Sequence, residues 1–159
     1  MCRRPFLAGA AAGAAGTIAL DIATYADMLL RGRPSSEAPA KLAEKLASTL
    51  GIASLLGDDD TAKNRRSGAG ALLGYANGLG IGIAYGAIRP LLRGVPPLVT
   101  GLALGAAAMA ASDIPMVKSG VTDPQEWGIA DWLADIVPHA VYGLTLAYTL
   151  DALQEPNSD

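Results

Sequence analysis

The chain has 159 residues, of which 51% are hydrophobic and 17% charged, against roughly 25% charged in an average soluble domain. Nineteen glycines stand beside one Phe, two Trp and five Tyr, a combination that argues against an ordinary globular enzyme with a large aromatic core. The single cysteine, Cys2, excludes an intramolecular disulfide and a Cys-based zinc cluster, and a net charge of −3 gives no electrostatic footprint for nucleic acid.

A bilayer core of roughly 30 Å needs about 20 apolar helical residues, and four stretches qualify. The first, about 5–30, is apolar or small apart from Asp21 and Asp27. Arg31 to Arg66 then has a polar texture. Ser35 and Ser36 can cap a helix, Glu37 and Pro39 suit its first turn, and Leu42, Leu46, Leu50 and Ala53 recur at helical spacing. An amphipathic interfacial helix over about 36–56 is expected, lying on the membrane surface or docked on the bundle. Asp58, Asp59 and Asp60, followed by Lys63, Arg65 and Arg66, form a solvated charged turn.

The second span, about 67–88, carries no charge. A soluble bundle needs polar outward faces, and this stretch offers little beyond Tyr75, Asn77 and Tyr85. The third, about 94–113, closes at Asp113-Ile114-Pro115, where helix termination accounts for the residues present. Thr122-Asp123-Pro124 reads as a turn and cap before Trp127 and Trp132, which suit an interfacial belt. The fourth span, about 127–152, holds Asp131, Asp135 and His139 in its first half and is the weakest on hydropathy. The expected fold is all-α: one polytopic membrane domain over 1–159, a bundle of four transmembrane helices with one amphipathic helix between spans 1 and 2.

Short loops rich in Lys and Arg stay cytoplasmic. A cytoplasmic first loop puts Arg31, Arg33, Lys41, Lys45, Lys63, Arg65, Arg66 and Lys118 inside and Arg3, Arg4, Arg89 and Arg93 outside, which favours both termini outside. Arg3-Arg4-Pro5-Phe6-Leu7 pulls the other way, as a partial match to a twin-arginine export signal with no clean cleavage site.

Gly70, Gly74, Gly78, Gly82 and Gly86 are spaced by four and make a side-chain-free stripe, a glycine zipper along the second span. Gly9 and Gly13, and Gly101 and Gly105, repeat the spacing once each. Hydrophobicity does not drive helices together in lipid, so close van der Waals approach at small residues must do much of it. Packing within the chain is the expected use; homo-oligomerisation or a pore lining is the alternative.

Ionisable groups inside a span cost about 2.5–3.5 kcal/mol on insertion scales and need a partner, water or a route to the interface. Asp21 lies two thirds of the way along the first span. Asp135 and His139 are one turn apart on the fourth, and Tyr142 continues that face. Pro138 cannot donate its backbone hydrogen bond and frees the carbonyl of Ala134. Asp21, Asp135, His139 and Tyr142 are therefore the candidate intramembrane polar cluster, either a packing device or part of a proton or ion path. Asp131, Asp135 and His139 span only about 80° of a helix and form a weak metal candidate, with Asp21 as a possible fourth ligand; no metal and no cofactor is expected. Nucleophile elbow, phosphate-binding loop and His-Glu-x-x-His motifs are absent from the sequence, so no enzyme activity is expected.

Three strings carry a resemblance: Tyr25-Ala26-Asp27-Met28 running into Arg31-Gly32-Arg33-Pro34-Ser35-Ser36; Ser112-Asp113-Ile114-Pro115-Met116; and Gly120-Val121-Thr122-Asp123-Pro124 continuing to Asp131-Trp132-Leu133-Ala134-Asp135-Ile136-Val137-Pro138-His139. Through them the chain resembles a group of small four-span bacterial membrane proteins, most frequent in actinobacteria. The resemblance implies a bacterial plasma membrane and no mechanism. The first functional expectation is a structural or accessory membrane protein that packs against itself or another membrane protein, with membrane lipids around it. The alternative is a small proton, ion or solute transporter or channel using the intramembrane Asp and His, and a lipid-modifying enzyme comes third.

Overall fold

The structure is a computed structural model that describes residues 5–154. The twin-arginine and single-cysteine readings, on Cys2, Arg3 and Arg4, lie outside the described residues. Five α-helices follow in order: α1 (Pro5–Arg31), α2 (Ala38–Thr49), α3 (Ala62–Ile88), α4 (Pro97–Lys118) and α5 (Ile129–Gln154). No strand occurs among the described residues. Three helices, α1, α3 with the turn after it, and α4, are long and apolar enough to cross a membrane. Leu29, Leu30, Leu91 and Ile129 are each more than four-fifths exposed, an outward apolar surface that suits lipid and not water.

Helix α1 packs between α3 and α5, α5 packs on α4, and α3 and α4 touch only lightly. Arg31 Nη1 donates to the Ala130 carbonyl at 3.3 Å, so α1 finishes where α5 begins. At the opposite end Arg89 grips Asp151 with two hydrogen bonds of 2.7 and 2.8 Å, so α3 finishes beside the end of α5. The four long helices thus run up and down. One end, the basic end, gathers Arg31, Arg33, Lys63, Arg65, Arg66 and Lys118 together with α2; the far end holds Arg89.

The far half of the bundle is built on backbone contact. A Cβ added at Gly82 would stand 2.6 Å from Gly13 Cα, and one at Gly86 2.9 Å from Gly9 Cα. Between α4 and α5, a Cβ at Gly143 would lie 2.8 Å from Gly105 Cα. Gly16 makes room for the ring of Tyr142, 2.9 Å from where its own Cβ would be. Around these seams sit Ala8, Ala12, Tyr85, Ala108, Tyr142, Leu146, Ala147 and Leu150, all buried. The five-glycine stripe does not meet one neighbour throughout: a step of four residues turns about 40° round the helix. Gly78 meets Thr17, Gly82 and Gly86 meet the α1 backbone, Gly70 meets Pro39 and Ala40 at the start of α2, and Gly74 faces open space.

Helix α2 is shorter than the amphipathic pattern suggests because Gly51, at φ +71°, ends it. Gly51 N donates to the Ser48 carbonyl and Ile52 N to that of Ala47, a Schellman stop; Ala53–Leu55 follows as a single 3₁₀ turn. Ser36 Oγ accepts from Ala38 N at 3.2 Å. Leu42, Ala43 and Ala47 are buried, and Glu44 pairs with Arg66 at 2.7 Å, so α2 docks along the first turns of α3. Gly70, against α2, and Asn77, whose side chain donates to the Ala108 carbonyl of α4 at 3.1 Å, are seven residues apart and only about 20° apart round the helix. Helices α2 and α4 therefore occupy the same flank of α3 in succession, and α2 stands at the basic end where α4 would otherwise close on α3.

Two boundaries differ from the sequence reading. Helix α4 does not end at Asp113 but runs on through Pro115 to Lys118. Its stop is Gly120, at φ +68°, with Val121 N bonded to Met116 O and Gly120 N to Val117 O. Helix α3 starts at Ala62, so Lys63, Arg65 and Arg66 are helical rather than part of a turn. Asp59 accepts from the Thr61 hydroxyl and backbone N–H at 2.7 and 2.9 Å just before that start.

Replacing Gly82 with Leu should cost at least about 1–3 kcal/mol, the usual range for overpacking, whereas Gly74→Leu should stay within about 0.5 kcal/mol, as at an open surface position; unfolding midpoints of the purified variants in one detergent compare them. The Thr61 hydroxyl, with its backbone N–H second, holds the Asp59 carboxyl below the ordinary range. The helix start is therefore fully supported above the unfolded-state pKa and loses that support as pH falls through the folded one. A carbon-13 titration should place the Asp59 midpoint below that of a free Asp side chain, and Thr61→Val should move it back up.

Candidate functional site

Helix α5 carries Asp135 and His139 four residues apart, on one face by helical geometry. His139 Nδ1 lies 3.0 Å from Asp135 Oδ1 and 2.9 Å from the Asp135 carbonyl. Both neighbours are acceptors, so the hydrogen-bond network assigns the proton to Nδ1 and leaves Nε2 as the free ring nitrogen. The two side chains are only 22% and 15% exposed. Their position is fixed from behind: Gly105 of α4 admits the His139 carbonyl so closely that a Cβ there would collide with it, and the ring of Pro138 is buried beside them.

The third member comes from α4. The Asp113 carboxyl lies near enough to the Asp135 carboxyl and the His139 ring to interact with both. Its neighbour Ser112 turns its hydroxyl back onto the Ala108 and Met109 carbonyls at 3.2 and 2.9 Å. Asp135 Oδ2 is buried and has no donor. Two ionised carboxylates are acceptors only, so neither can satisfy the other. A proton shared between the two carboxyls would supply a donor that neither ionised group can, while His139 Nδ1 lies on Oδ1. The arrangement is a chain of three groups from two helices, imidazole to carboxylate to carboxyl, in which every buried oxygen of Asp135 is satisfied only when the pair holds a proton or another cation.

The other residues singled out from the sequence lie elsewhere. Tyr142 is fully buried and donates to the Gly78 carbonyl at 2.7 Å, tying α5 across the bundle to α3 on the far side of the His139 turn. Asp21 accepts from the Tyr75 hydroxyl at 3.0 Å. It stands five residues beyond Gly16, hence about 140° round α1, and Gly16 meets Tyr142 of α5; Asp21 thus faces away from Asp135 and His139. Asp131 is exposed and its Oδ2 accepts from Gly128 N at 3.0 Å. No group of three or more His, Cys, Asp or Glu suited to hold a metal occurs among the described residues. Asp27 is bound by Arg31 and Arg33, each with hydrogen bonds of about 2.5 Å, which ties off the basic end of α1.

Asp113 was hidden in the sequence by its neighbour. A proline two residues on reads as the end of a helix, and only the continuation to Lys118 turns Asp113 into a residue of a packed helix. The two indoles lie at the basic end as a pair, ring centroids 4.9 Å apart and 63° between planes, with Trp127 Nε1 donating to Thr122 Oγ1 at 2.9 Å. Asp123 accepts from Gln125 N at 2.9 Å to shape the turn between α4 and α5.

No family model, no curated protein and no solved structure matches the chain. What fold and site define together is a helical protein with three helices long and apolar enough to cross a membrane and a carboxyl–carboxylate–imidazole cluster between two of its helices.

Replacing Asp113 with Asn places a permanent N–H donor beside Asp135 and should leave stability nearly unchanged. Asp113→Ala removes the only donor and should cost about 1–3 kcal/mol, the range for a buried unsatisfied group. Denaturation in detergent measures the difference, and infrared spectra should lose a protonated-carboxyl band in the Asn variant.

Proposed function

We propose that this protein is a four-span integral membrane protein of the bacterial plasma membrane, in which α5 is the fourth span, and that it is a small proton-coupled translocator of an ion or solute. The observation that carries this reading is the buried, donor-less Asp135 Oδ2 beside the Asp113 carboxyl and the His139 ring. Ionisable residues at membrane depth are expensive and mark proton and ion paths. The sequence alone offers two titratable groups on one helix and no relay; Asp113 supplies the third group, and from a different helix, so that relative movement of α4 and α5 makes or breaks the shared proton. The cluster lies toward the basic end, where α2 stands between α3 and α4.

The glycine seams supply the rigid partner of this device. A glycine zipper locks α1 to α3, and its counterpart locks α4 to α5, in the far half. The basic end, with the larger share of Lys and Arg, is placed in the cytoplasm by the positive-inside rule, with both termini outside. No catalytic role is proposed. The accessory reading, in which the chain works by packing against another membrane protein, is favoured by a separate observation, the Asp21–Tyr75 pair.

The test is proton flux in vesicles containing the purified chain under an imposed pH gradient, read with a pH-sensitive dye. The native protein should dissipate the gradient, and Asp135→Asn, Asp113→Asn and His139→Ala should each slow it by about tenfold or more, the lower range for loss of a positioned proton-transfer group. Background-level flux in the native chain, or equal flux in all four, would overturn the reading.

A further inference from the structure

The second polar feature at membrane depth is on the opposite side of the molecule. Asp21 of α1 and Tyr75 of α3 meet at 3.0 Å on the outer flank of the α1–α3 seam. Tyr75 is 44% exposed, and Ile18, Ile22, Tyr25 and Leu72 around the seam are exposed by 57–69%. Gly74, next to Tyr75 on α3, faces open space.

Depth decides what this face requires. Asp21 is ten residues before Arg31 and Tyr75 nine after Arg66, which puts them about 15 Å and 14 Å from the charged residues at the basic end. That is inside a hydrocarbon core of roughly 30 Å, with Asp21 on the basic-end side of its middle. An Asp side chain is too short to reach the interface from there, and a lipid headgroup cannot descend to it. One phenol fills one of several acceptor positions on a carboxylate. In the bundle interior such a group would find a partner on α5, but Asp21 points the other way.

We propose that the α1–α3 seam at Asp21 and Tyr75 receives a transmembrane helix of another membrane protein that presents a Lys or Arg at the same depth. Charge complementarity selects that occupant: the seam offers an acceptor-only group, and a cation with several N–H donors fills its free positions. A second copy of this chain would bring another carboxyl and no N–H donor to the same place. The apolar rim of Ile18, Ile22, Tyr25 and Leu72 supplies the contact surface around the ion pair. The inference rests on α1 and α3 being spans and does not depend on proton exchange at Asp135.

The probe is a single-span Leu/Ala host peptide with one Lys at its centre, mixed in lipid vesicles with the labelled full-length chain, association being read by resonance energy transfer. The Lys peptide should bind at least about tenfold more tightly than the same peptide with Leu at that position, or with the Lys moved two turns toward one end. Asp21→Asn in the chain should remove the advantage. The peptide comparisons use the native chain, so they stand even if the variant folds poorly. Equal binding of the Lys and Leu peptides, retention of the advantage in Asp21→Asn, or association of the chain only with itself through Asp21 would each overturn the proposal. Proton flux through the Asp135 cluster is read separately, and its absence would leave this result intact.

Discussion

Backbone meeting backbone is the constraint on which the structure depends. In lipid there is no hydrophobic gain from bringing two helices together, so attraction has to come from contact at short range. Gly9 and Gly13 against Gly78, Gly82 and Gly86, and Gly101 and Gly105 against Gly143, provide it. Each seam excludes even one methyl group. The four aromatic or large aliphatic side chains that are fully buried, Tyr85, Tyr142, Leu146 and Leu150, fill the space between the seams and do not hold them apart. Hydroxyls close the rest: Tyr85 reaches Thr100 at 3.1 Å, and Thr17 bonds back to Gly13 at 2.9 Å.

That tight half makes the other half possible. The glycine contacts lie mostly in the far half, and toward the basic end α2 takes the flank of α3 that faces α4 at Asn77. The ionisable groups lie toward that end. Asp113 and Asp135 come together where α4 and α5 leave their glycine contacts, with Gly105 under the His139 carbonyl as the last of these. A polar cluster at the centre of the glycine seams would be immobile. Placed just past their end, it rests on a firm base.

Much of this was legible in the sequence, and the parts that were not have physical reasons. Spacing by four marked Gly78, Gly82 and Gly86 as contact residues, and the contacts are there. It could not say that Gly70 belongs to α2 or that Gly74 is unpartnered, because the stripe turns away from α1 and only the neighbours decide what it meets. Asp135 with His139 was readable from the helical repeat alone. Asp21 was grouped with them on depth, yet depth is one coordinate of two, and its angle round α1 carries it to Tyr75. Asp113 was missed because Pro115 is a strong local stop signal, overruled here by Gly120, whose left-handed backbone ends the helix at far lower cost.

The two polar features bear on each other through α1. That helix carries Asp21 on one flank and, through Gly16, seats the ring of Tyr142 on another; Tyr142 in turn reaches the Gly78 carbonyl of α3. A helix that docked on the α1–α3 seam would press on the pair of helices against which α5 is positioned, one turn from His139. Rigid elements with discrete contacts carry such coupling where soft ones do not, and the glycine seams make α1 and α3 a single rigid unit. The proposed docking and the proposed proton exchange would then draw on one frame: the seam that leaves no room for a methyl group on the inside also positions Asp21 on the outside.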